Sequence, residues 1–166
     1  MQRLRFWRFD NDGTRALMSL AAHLAQSGLG PQLLDLVYVR VAQLTGCSAC
    51  VDVHVQSALA HGLDQRLLNG VAAWRESPSF TERQRTALAW TDAVTDIAKT
   101  RAPDDVYGEV AGQFSETELV DLTLAIALMN AFARIAVAFR HGPPPMPAIS
   151  EAAAARSGRP GRALRS

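Results

Sequence analysis

Cysteine is scarce in this chain of 166 residues: only Cys47 and Cys50 occur, three positions apart. Two thiols so close cannot staple distant segments, so the disulfide framework of a small secreted domain is excluded and a local redox or metal role is what remains. An excess of one charge is missing too. Lys and Arg number 17 against 16 Asp and Glu, a net charge of +1 that argues against a nucleic-acid partner. Five arginines in residues 140–166 face only Glu151, which leaves residues 1–139 mildly acidic, with twelve basic and fifteen acidic groups. The longest apolar stretch, Leu122 to Phe139, is interrupted by Asn130 and Arg134, whereas a membrane span needs about 20 predominantly apolar residues. A buried helix and no membrane contact are expected there. Arg3, Arg5 and Arg8 before the apolar segment Ala16 to Ala25 outline a signal peptide, but Asp10, Asp12 and His23 break it, so a cytoplasmic location is expected. Strand signals and internal repeats are lacking.

What is present suits one globular domain. Hydrophobic residues make up 48% and charged residues 20%, and a chain of this length buries about 70% of its unfolded surface. Leu17, Leu20, Ala21 and Leu24 follow helical spacing, with Gly28 and Gly30 as the stop. Pro31 suits a first helical turn, and Leu34, Val37, Val41 and Leu44 carry one stripe as far as Gly46. A third helix is expected from Ser48 to His61, closed by Gly62, and Asp64 caps a short one through Leu68. Thr81 with Gln84 and Ser115 with Glu118 form capping boxes that open helices over about 82–99 and 116–140, and Pro103 with Asp104 starts a short helix between them. The expectation is an all-α, single-domain helical bundle of six to seven helices over residues 1–142. Residues 143–166, rich in Pro, Ala and Arg, are expected to be a disordered or extended tail.

The chemistry gathers at Gly46-Cys47-Ser48-Ala49-Cys50-Val51-Asp52-Val53-His54, with His61 seven residues on. Offsets of 3, 7 and 14 from Cys47 fall within about 60° on a helix, so both sulfurs and both imidazoles share a stripe. Cys50 and His54 are one turn apart, and Cys47 sits at a helix start, where unpaired amides favour a thiolate. A tight turn near Thr45 and Gly46 folds the second and third helices into an antiparallel pair. Residues equidistant from such a turn face each other, which places Asp35 near residue 57, about one turn from His54. An Asp–His–Cys relay is then within reach: the carboxylate orients the imidazole, the imidazole takes the thiol proton, and the thiolate attacks.

The run from Leu33 to Leu63, with Cys-x-x-Cys-x-x-x-His and a second His, resembles the carboxymuconolactone decarboxylase superfamily and, within it, the alkylhydroperoxidase D-like branch. Ala73-Trp74-Arg75-Glu76, Phe80-Thr81-Glu82-Arg83, Ala87-Leu88-Ala89-Trp90 and Asn130 to Arg134 extend the similarity over about 110 residues. The resemblance implies the all-helical AhpD-like fold, a homo-oligomer (dimer, trimer or hexamer), and reduction of a hydroperoxide substrate by the cysteine pair. It implies that Cys50 attacks the peroxide, that Cys47 resolves the product as a disulfide, and that His54 relays the proton. Asp35 stands where the family usually has glutamate, a reach shorter by about 1.5 Å, one C–C bond, which a bridging water would restore. Ala49 replaces a second relay histidine of some members, and Phe132 and Ala133 stand where many relatives have Trp and Asn. No bound cofactor is implied; the oxidised pair needs an external dithiol reductant protein, and the family points to a lipoyl protein.

Other readings compete. A buried cysteine pair can be plain packing. Zinc held by Cys47, Cys50 and His54 would have only His61 and Asp35 to complete its four ligands. His61 itself reads as a surface or interface position before a catalytic one. Trp74, Phe80 and Trp90 read as core, and Arg134 as a structural pair with a carboxylate or carbonyls. Two further functions compete with the peroxidase: a carboxymuconolactone decarboxylase-type lyase, which needs acid–base groups and no redox pair, and a non-catalytic redox-sensing or binding protein.

Overall fold

The computed structural model describes residues 2–8 and 10–143, and the tail expected from 143 lies outside them apart from its first residue. Eight α-helices follow in order: α1 (Asp12–Leu24), α2 (Pro31–Thr45), α3 (Ser48–Ala60), α4 (Gln65–Gly70), α5 (Glu82–Thr95), α6 (Ile97–Thr100), α7 (Asp104–Ala111) and α8 (Glu116–Ala138). Short 3-10 turns occupy Phe6–Arg8 and Val71–Ala73, and there is no strand among the described residues. The all-α expectation holds.

The helix starts follow the side chains that satisfy their first amides. Thr81 accepts from the Gln84 amide and Ser115 from the Glu118 amide, each with the reciprocal bond that completes a capping box. Asn11 and Thr14 make a third box at α1. Asp64 caps α4, which runs to Gly70, past the expected end at Leu68. The continuous helix expected over 82–99 is a correction: it breaks at Asp96, and the extra piece, α6, raises the count to eight. The break has a local cause, since the Thr100 hydroxyl donates to the Ala93 carbonyl at 2.6 Å and takes the place of a helical amide. Similarly, α8 stops at Ala138 and not at 140, where Arg140 turns left-handed with φ 52°.

Helix α2 is the centre of the molecule. Leu36, Val37, Val39, Val41 and Ala42 are completely buried, so the helix is apolar nearly all round, and it packs against α3, α5 and α8. Helix α8 is long and apolar enough to cross a membrane by length and composition. Here Leu122, Ala125, Ile126, Met129, Ala133 and Ala136 of α8 are buried in the same core. Trp74, Phe80 and Trp90 are buried as well, the indoles donating to Asp92 at 3.2 Å and to Thr123 at 2.9 Å. Arg134 stays exposed and donates to the Asn130 carbonyl at 3.1 Å and to the Asn130 side chain.

One ion cluster ties the layers together. Asp92 accepts from Arg40 at 2.6 and 3.1 Å, from Arg75 at 2.6 Å and from the Trp74 indole at 3.2 Å. The Arg40 and Asp92 side chains are 11% and 15% exposed, so removing the carboxylate would strand a guanidinium with almost no water to solvate it. Asp92→Ala is therefore expected to cost about 3–5 kcal/mol, the range for breaking a buried pair from one side. Urea unfolding followed by circular dichroism measures it, and a loss under about 1 kcal/mol would mean that Arg40 finds other partners.

Candidate functional site

The site is built by the α2–α3 hairpin. Gly46 ends α2 at φ +68°, a left-handed conformation that glycine adopts without strain, and the chain reverses into α3 at once. The reversal brings Asp35, ten residues before Thr45, level with Ser57, whose hydroxyl donates to Asp35 Oδ2 at 3.0 Å. That is the position the equal-distance argument assigns.

Cys47 caps α3, its Sγ accepting from the Cys50 amide at 3.3 Å, and the two cysteines are joined as a disulfide. Cys47 is 2% exposed and Cys50 is partly exposed, so of the two sulfurs Cys50 is the one solvent reaches more easily. His54 follows Cys50 by one helical turn. Its ring lies against Tyr38, centroids 4.8 Å apart, and its Nδ1 is buried without a hydrogen-bond partner among the described residues. The nearest carboxylate oxygen, Asp35 Oδ1, is 3.6 Å away. That gap is too long for a direct hydrogen bond and shorter than the roughly 4.5 Å that a bridging water spans.

The imidazole that bonds Asp35 directly is that of His61, whose Nδ1 lies 2.6 Å from Asp35 Oδ2. The sequence reads His61 as a surface or interface position before a catalytic one. Its side chain is indeed 45% exposed, yet the end of α3 turns the ring inward onto the carboxylate. Asp35 thus faces both imidazoles, one at each oxygen. Burial pushes its carboxyl up, but the two imidazoles and the Ser57 hydroxyl together outweigh this and hold it below the usual aspartate value. Being ionised at neutral pH, Asp35 can only accept, so His61 Nδ1 carries the proton. A proton on His54 Nδ1 is likewise favoured by the facing carboxylate, which leaves Nε2 as the basic nitrogen.

Nothing in the sequence spacing marks Tyr38. Burial first and the Asp35 charge second push its phenol up to about 12, so it remains a hydrogen-bond donor at neutral pH. Asp35, Tyr38, His54 and His61 all open on a mostly apolar cavity of about 310 Å³ that Ala21 of α1 and Ala25, which caps it, help to enclose, and neither cysteine lines it. Among the described residues no group of three or more His, Cys, Asp or Glu side chains is placed to hold a metal ion.

The pattern of the carboxymuconolactone decarboxylase family matches residues 12–93. The chain is 28% identical over 137 residues to the uncharacterized protein YdfG of Bacillus subtilis (strain 168), covering 82% of this chain and 93% of YdfG. It is 34% identical over 110 residues to the uncharacterized protein YnjA of Escherichia coli (strain K12), covering 66% of this chain and 59% of YnjA. The crystal structure of an Agrobacterium tumefaciens protein of unknown function, named as a candidate antioxidant defence protein AhpD, matches with a TM-score of 0.84 and 38% identity over 88% of this chain and 100% of that one. The chain belongs to the carboxymuconolactone decarboxylase family.

Proposed function

We propose that this member of the carboxymuconolactone decarboxylase family is a thiol-dependent hydroperoxidase. The observation that carries the reading is the redox pair Cys47–Cys50 at the start of α3, one turn from a histidine that faces a buried carboxylate. Reduced Cys50, as the thiolate, attacks the distal oxygen of the peroxide. The S–O bond forms as the O–O bond breaks, and the alkoxide leaves as an alcohol by taking the proton that His54 had removed from the thiol. The Cys47 thiol then displaces the hydroxyl of the sulfenic acid, giving water and the Cys47–Cys50 disulfide. The greater exposure of Cys50 supports its role as the attacking thiol, and burial of Cys47 behind it suits the resolving one. An external dithiol, with a lipoyl protein as the expected carrier, returns the pair to thiols in exchange for its own disulfide. A homo-oligomer belongs to the same proposal; Val120 and Leu124, one turn apart on α8, leave apolar side chains exposed.

Mass spectrometry of the reduced protein after one equivalent of an alkyl hydroperoxide tests the scheme. It should show a loss of about 2 Da, two hydrogens, with the new bond between Cys47 and Cys50. Coupled turnover with dihydrolipoamide then separates an enzyme from a redox sensor, which would oxidise once and stop. One observation favours a second reading: the acid–base cluster opens on a cavity that neither sulfur lines. A lyase acting on muconolactone carboxylates would use that cluster alone, and its turnover would survive Cys50→Ser.

A further inference from the structure

The two oxygens of Asp35 are used unequally. Oδ2 accepts two hydrogen bonds, from Ser57 Oγ at 3.0 Å and from His61 Nδ1 at 2.6 Å, whereas Oδ1 accepts none among the described residues and faces His54 Nδ1 at 3.6 Å. Residues 54, 57 and 61 follow one another at three- and four-residue steps, so all three side chains reach the same carboxylate from one face of α3 and its cap. Two bonds on one oxygen fix the rotation of the carboxylate and leave its other oxygen aimed along the relay. The anchor is itself held, since Gln32 Nε2 donates to the His61 carbonyl at 2.8 Å.

Building on the relay reading above, we infer that His61 is a positioning residue which, with Ser57, holds Oδ2 of Asp35 so that Oδ1 faces His54. The charged and titratable groups around it are Asp35 and Tyr38 on α2, His54 on α3, and Arg83 on α5, which shares with His61 the hollow at the start of α2. Arg83 is already paired with Glu118 at 2.6 Å, so its charge is largely balanced. Without His61 the carboxylate keeps only the Ser57 bond and can turn away from His54. His54 then becomes a weaker base toward the Cys50 thiol.

The experiment is the pH profile of iodoacetamide alkylation at Cys50 in the fully reduced protein, read by peptide mass spectrometry. In His61→Ala, the Cys50 profile should move up by about half to one pKa unit, slowing alkylation at pH 7 roughly three- to tenfold. His61→Asn, whose Nδ2 sits where Nδ1 of histidine does, should restore the original profile. An unchanged profile in His61→Ala overturns the inference, and so does a shift downward, which would mean that His61 competes with His54 for the carboxylate. A His61→Asn profile displaced as far as that of His61→Ala also overturns it, because the donor would then be irrelevant. Alkylation needs no peroxide, so the two readings fail separately. A shifted profile in a protein that hydroperoxide leaves unoxidised would sink the peroxidase and leave the positioning role standing.

Discussion

Cys50→Ser is expected to lower hydroperoxide reduction by roughly three orders of magnitude or more, the scale on which removing a covalent nucleophile acts. Serine keeps the shape of the side chain but replaces a thiol ordinarily near pKa 8.5 by a hydroxyl that His54 cannot ionise to a useful degree. Cys47→Ser should behave differently. The attack on peroxide needs only Cys50, so one turnover remains and the protein stops as a sulfenic acid, heavier by about 16 Da and open to trapping by a thiol reagent. Stopped-flow oxidation of the two variants, followed by intact-mass measurement, resolves these outcomes. Equal single-turnover oxidation of Cys50→Ser and wild type would move the attacking role to Cys47, whose sulfur accepts the Cys50 amide at the helix start.

Much of this arrangement is legible before any coordinates, because it rests on local rules. Capping boxes at Thr81 and Ser115, Pro31 at a helix start and the left-handed Gly46 are decided within a few residues, and each element begins or ends there. The Asp35–Ser57 pairing is non-local but follows from a hairpin's symmetry, so counting outward from Gly46 reaches it. What spacing does not convey is the choice among rotamers and partners. His54 and His61 lie on one stripe, and only the packed structure decides that the more distant imidazole takes the 2.6 Å bond while the nearer stops at 3.6 Å. The Asp92 cluster joins residues up to 52 positions apart, and no periodicity reports a bond between Arg40 and Asp92. The break at Asp96 escaped for a related reason: Thr100 is an ordinary helix residue until its hydroxyl takes the Ala93 carbonyl.

Asp35→Asn separates the relay from the fold. The amide keeps the shape of the carboxylate but brings an NH2 group against two donors, the Ser57 hydroxyl and His61 Nδ1–H, or against His54. Some of those bonds must be lost, at about 1–3 kcal/mol for a buried group left unsatisfied. The loss of charge matters more for chemistry. Without an anion facing Nδ1, His54 is a weaker base, and the peroxide step should slow by roughly 10- to 1000-fold, within or just below the contribution of general-base assistance. The pH dependence of stability carries a matching signature. Asp35 is held below its ordinary value in the folded protein, so its stabilising contribution is complete above about pH 4, the unfolded aspartate value, and disappears as pH falls through the lower folded one. Wild type should therefore lose stability on acidification below about pH 4, while Asp35→Asn, less stable at neutral pH, should show a shallower loss over the same interval. Urea midpoints measured from pH 7 down to pH 3 test the sign. Parallel curves with an unaltered peroxide rate would show that Asp35 only fills space between α2 and α3, and the basicity of His54 would then have to come from the neighbouring Tyr38 ring and the helix alone.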